Sequence, residues 1–103
     1  MGLGLTFDTG ALISLERRRK RMAEVVAAAR IMRVRITVPT VVVAEWWRGQ
    51  KAPLARILEG VVLEPLDDRT ARLAGEALAR TGLSNAIDAV VMASAAQRSP
   101  RAI

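Results

Sequence analysis

A chain of 103 residues fits one domain and can bury roughly two-thirds of its unfolded surface, enough for a core without covalent staples. Apolar residues make up 51%, but only one Phe and two Trp are aromatic, so the core must be aliphatic. The net charge is +6 with no Cys and no His, which excludes disulfides, thiolate or imidazole metal sites and a histidine general base, and leaves oxygen ligands for any metal.

Leu3, Leu5 and Phe7 alternate with Gly4, Thr6 and Asp8, the period of a strand. Thr9 and Gly10 open a short helix, Ala11 to about Arg17. The basic run Arg17–Arg21 leads into a second helix reaching about Arg30, with Met22, Val25, Val26 and Ala29 on one face. Val34, Ile36 and Val38 form a second strand stopped by Pro39. Thr40 is the expected N-cap of a helix over Val41–Arg48 ended by Gly49, although the β-branched run Val41–Val43 leans toward strand. Pro53 and Gly60 bracket a further helix, and Val61–Leu63 is a short third strand. Asp67 and Asp68 begin a helix with Ala71, Ala74 and Leu78 as its buried stripe, closed by Gly82. Ser84 or Asn85 caps a last, alanine-rich helix to about Gln97, and Pro100–Ile103 reads as the start of a fourth strand. Strands alternating with helices predict an α/β domain with a parallel sheet.

Three acidic residues fall where a strand or loop feeds a helix. Asp8 ends the first strand, the side of a parallel sheet on which functional groups collect; capping of the next helix is the plain alternative. Glu45 stands in Val-Val-Val-Ala-Glu-Trp-Trp, where a buried carboxylate is costly unless paired or metal-bound; pairing with Arg48 is its alternative. Asp88 opens the last helix, where Asn85 and Asp88 also have the spacing of a capping box. If the three share one rim they repel one another, and Mg²⁺ or Mn²⁺ would relieve that repulsion. Such a cluster can activate water and stabilise the charge of a phosphodiester under attack.

The segments Leu5–Ile13, Val43–Gly49 and Asn85–Ala93, in this order and separation, resemble the PIN-domain family, and within it the toxins of VapBC-type toxin–antitoxin pairs. The resemblance implies a three-layer α/β/α domain with a short central parallel sheet and flanking helices. It implies a Mg²⁺- or Mn²⁺-dependent endoribonuclease, a homodimer, silenced by a cognate antitoxin. Asp8, Glu45 and Asp88 match three of the family's catalytic metal-site acids, and Thr9 matches a hydroxyl residue lining that site. The family places a fourth acidic residue after the next strand. From Asp88 that position lies past Ile103, and no acidic residue follows Asp88. The expectation is a single PIN-like domain over residues 1–103, truncated before its C-terminal strand and helix.

The charge rests on fourteen arginines against two lysines. Arginine suits phosphate recognition, so a polyanion is one reading and the arginine bias of a GC-rich genome the other. Arg17, Arg18, Arg19 and Arg48 are candidate RNA phosphate contacts, against a solvated helix end. Trp46 and Trp47 point about 100° apart on a helix, so one should be buried and the other is a candidate interface residue. No apolar run reaches membrane-spanning length, and a cytoplasmic protein is expected. The competing function is a non-catalytic, small basic α/β domain that binds RNA or a protein, with the acids as helix caps. Phosphoryl transfer through an aspartyl phosphate fits poorly. Haloacid-dehalogenase-like enzymes need a second Asp where Gly10 stands, and receiver domains need a late lysine, whereas only Lys20 and Lys51 are present.

Overall fold

The alternating N-terminal segment forms strand β1 (Gly4–Thr6). The chain continues through α1 (Thr9–Glu16), α2 (Lys20–Met32), β2 (Arg35–Pro39), α3 (Thr40–Trp46), a 3-10 segment (Ala52–Leu58), β3 (Val62–Glu64), α4 (Asp68–Thr81) and α5 (Ala86–Arg98). This computed structural model describes residues 4–48, 52–82 and 85–98. The expected helix stop at Gly49, the cap at Ser84 and the fourth strand at Pro100–Ile103 lie outside those residues.

The strands form one parallel sheet in the order β1-β2-β3, with Leu5 opposite Ile36 and Val38 opposite Leu63. Ile36, Thr37, Val38 and Pro39 are all buried, so central β2 is covered on both faces, as parallel strands usually are. The alternation Val34-Ile36-Val38 marks one face only. Thr37 is buried too because α5 packs against β1 and β2. The expected α/β/α layering is present. Phe7, Leu12, Ala29, Ile36, Val38, Val42 and Trp46 form the main core with α1, α2 and α3. A smaller cluster of Ala74, Ala89, Val90 and Ala93 joins α4 to α5, and Val41 packs against both clusters.

Several local expectations change. Thr40 is the first helical residue and no cap: Pro39, at φ −61° and ψ 139°, takes the cap position without a side-chain bond. Burial of Val42 in the main core holds the β-branched run in a helix, a case of packing overriding propensity. The segment from Pro53 toward Gly60 is 3-10 rather than α-helical. In α4 the inward stripe is Thr70, Ala74 and Leu78, while Ala71 is exposed. Asp67 caps this helix by accepting from Thr70 N at 2.8 Å, and Gly82 closes it at φ +71°.

A polar clamp ties α5 to the sheet. Arg98 donates from Nη1 to Glu64 Oε2 at 2.5 Å, from Nε to Thr6 Oγ1 at 3.3 Å, and from Nη2 to the Ser94 hydroxyl. Ser94 in turn donates to Glu64 Oε1 at 2.6 Å. Burial pushes the Glu64 carboxyl up, but the hydrogen bonds from Arg98 and Ser94 and the Arg98 charge outweigh it, and the net shift is downward. A carboxylate with a depressed folded-state pKa contributes stability above its unfolded value of about 4.3, lost as pH falls through the folded value. We expect Arg98→Met to lower stability by about 1–2 kcal/mol at neutral pH, between the exposed and buried ion-pair ranges. The gap from wild type should close on acidification below about pH 4. Thermal midpoints measured across pH 2.5 to 7 check this; a gap of constant size would dismiss the clamp as a source of pH-dependent stability.

Candidate functional site

The site begins at the carboxyl end of β1. Phe7 N donates to Thr37 O at 2.9 Å, extending the contact with β2 by one residue before the chain turns into α1. Asp8 stands at that turn in an extended conformation, and its Oδ1 accepts from Ala11 N at 2.8 Å. The capping alternative for Asp8 is therefore real. It occupies one carboxylate oxygen and leaves Oδ2 without a hydrogen bond among the described residues.

Thr9, the first residue of α1, donates its hydroxyl to Glu45 Oε1. This bond joins the end of β1 to α3 and holds Glu45, which is half-buried beside the core residues Val42 and Trp46. The alternative pairing of Glu45 with Arg48 is not made among the described residues. Thr9 thus acts on the carboxylate that the sequence singled out.

Asp88 lies exposed in the first turn of α5. Only half of the expected capping box forms. Asn85 Oδ1 accepts from Ile87 N at 2.8 Å and from Asp88 N at 3.1 Å, while the Asp88 carboxylate returns no bond among the described residues. Those two N–H groups are satisfied without it.

An open groove of about 460 Å³ runs between α1 and α3. From the first helix and its end it takes Thr9, Gly10, Ile13, Glu16 and Arg17; from the other it takes Glu45, Trp46 and Arg48. Positions 9, 13 and 16 form one helical stripe, as do 45 and 48. Of the four candidate phosphate contacts, Arg17 and Arg48 line this groove. Arg18 and Arg19 are exposed outside its lining, where Arg18 adopts a left-handed φ of 55° at the junction of α1 and α2. Sequence reasoning missed Glu16, whose Oε1 accepts from Trp46 Nε1 at 2.9 Å. Its spacing of seven from Thr9 was the available signal.

The structure brings Thr9 and Glu45 together, with Asp8 next in the chain. It does not draw Asp8, Glu45 and Asp88 into a coordinating set: among the described residues no three acidic side chains are grouped to hold one ion. Physically, converging carboxylates without a cation repel, whereas apart Asp8 and Glu45 each accept a hydrogen bond. The donor chemistry still suits a hard divalent cation. Among the described residues Asp8 and Glu45 each keep one oxygen without a hydrogen bond, Asp88 keeps both, and all are carboxylate oxygens.

The groove thus brings carboxylate oxygens and guanidinium groups together on a parallel α/β domain. Residues 5–101 match the PIN domain, and the chain belongs to the PIN domain family. PIN domains are generally nucleases that act on nucleic acid and use divalent metals. Neither the curated proteins nor the solved structures contain a match to this chain. Among the described residues no helix is long and apolar enough to cross a membrane.

Proposed function

We propose that the chain is a Mg²⁺- or Mn²⁺-dependent endoribonuclease, the toxin of a type II toxin–antitoxin pair. The observation that carries this reading is the Thr9–Glu45 hydrogen bond, which sets an acid beside the end of β1 inside a groove flanked by Arg17 and Arg48. Asp8, Glu45 and Asp88 would hold the metal, which when bound supplies a Lewis acid and an activated water. Thr9 orients Glu45 by donating to one oxygen and leaving the other for the ion. Arg17 and Arg48 bind the RNA phosphates, with bidentate geometry available to each guanidinium. In the same reading the protein is a cytoplasmic homodimer whose groove is closed by its cognate antitoxin. In this reading residues 5–101 form a single PIN-like domain.

A binding module without catalysis is the second reading. It is favoured by the Asp8 cap and by the ungrouped carboxylates. Cleavage of RNA with Mn²⁺, set against chelator, separates the two. Asp8→Asn keeps an oxygen to cap Ala11 N, so it should fold like wild type and lose on the order of 10²-fold in cleavage rate. Equal rates for the two proteins, with and without Mn²⁺, would favour the binding module.

A further inference from the structure

We propose that Trp47, at the end of α3 beside the groove, is a base-stacking residue, placing an unpaired RNA base next to the phosphates held by Arg17 and Arg48; this rests on the groove being the nucleic-acid site. The two tryptophans at the end of α3 have different surroundings. Trp46 is 3% exposed, lines the groove and is held by its bond to Glu16, whereas Trp47 remains 37% exposed. Their rings meet edge to face, with centroids 5.9 Å apart and planes at 74°. The Trp47 backbone is fixed as well, since its N–H donates to Val43 O at 2.8 Å. The exposed indole is thus braced against a buried one, one residue from Arg48.

A braced aromatic face beside cationic side chains is the combination that binds single-stranded nucleic acid: guanidinium groups follow the backbone while the π-face takes bases of any sequence. Self-association through this surface would set like charges against one another, which is costly. Here Arg17 and Arg48 line the adjoining groove, exposed Arg18 and Arg19 follow Arg17 in the chain, and the net charge is +6. Charge complementarity favours the polyanion.

The test measures binding in chelator, so that no cleavage intervenes. The probes are a short oligoadenylate and an abasic ribose-phosphate oligomer of equal length. Wild type should prefer the oligoadenylate by roughly tenfold. Trp47→Leu, which keeps apolar bulk, should erase that preference, while Trp47→Phe should keep most of it; circular dichroism verifies that both variants are folded. A preference unchanged in Trp47→Leu, or absent from wild type, overturns the proposal. So does unaltered RNA binding with a change of mass in light scattering, which would assign Trp47 to self-association. A chain that prefers bases through Trp47 yet never cleaves RNA would retain this inference and lose the nuclease reading. Cleavage with base-independent binding would do the reverse.

Discussion

Replacing Asp88 with asparagine is expected to reduce metal-dependent RNA cleavage by on the order of 10²–10³-fold while costing less than about 1 kcal/mol of stability. The two effects separate because the end of α5 is already capped. Asn85 accepts from both Ile87 N and Asp88 N, and the exposed Asp88 carboxylate, which accepts no hydrogen bond among the described residues, acts on that helix end through the dipole. Asn85→Ala should show the converse: a loss of about 0.5–2 kcal/mol with cleavage by the folded fraction largely intact. Denaturant titration alongside cleavage assays of both variants reads this out. If Asp88→Asn destabilises as much as Asn85→Ala and cleaves as well as wild type, Asp88 is a helix-terminus residue and the metal site has lost a member.

Trp46→Ala is expected to be among the most damaging changes to stability, at about 3–5 kcal/mol, a large share of the 5–15 kcal/mol typical of a whole domain. Trp46 is 3% exposed, belongs to the main core and also donates to Glu16 across the groove. Its removal leaves a void between α1 and α3 and takes a donor from a half-buried carboxylate. Trp46→Phe retains most of the ring and loses the N–H, so it should cost about 1–2 kcal/mol. Urea unfolding at neutral pH distinguishes the contributions. Equal losses for the two variants would move the weight from packing to the Glu16 hydrogen bond.

Much of this architecture was legible because it follows periodicity. The β1 alternation, the Met22-Val25-Val26-Ala29 face and the Asp67 and Gly82 helix ends all depend on neighbours within a few residues. The start of α3 was misplaced because the backbone of Pro39, which ends β2 opposite Glu64, leads straight into the helix. Thr70 was missed in α4 because its burial is set by Gln97 of α5, which donates to its hydroxyl at 2.9 Å. Of the candidate site, Asp8, Thr9 and Glu45 could be singled out by residue type and position, and Thr9 and Glu45 are bonded. Glu16 was invisible as a partner because its link to Trp46 spans thirty residues. The spatial grouping of three carboxylates is likewise a tertiary property. Sequence order says nothing of how far apart helix starts lie.

The alanine-lined seam between α4 and α5 has a consequence for chemistry that α4 itself never touches. Helix α5 is wedged between two clusters, with Ile87 and Val91 against the main core and Ala89, Val90 and Ala93 against α4. Its depth, and with it the reach of Asp88, is set like a shim by the thickness of the side chains at Ala74, Ala89 and Ala93. A helix carrying none of the candidate acids is therefore a lever on one of them. Enlarging any of these alanines would change the spacing of Asp88 from Asp8 and Glu45 without altering any of the candidate acids.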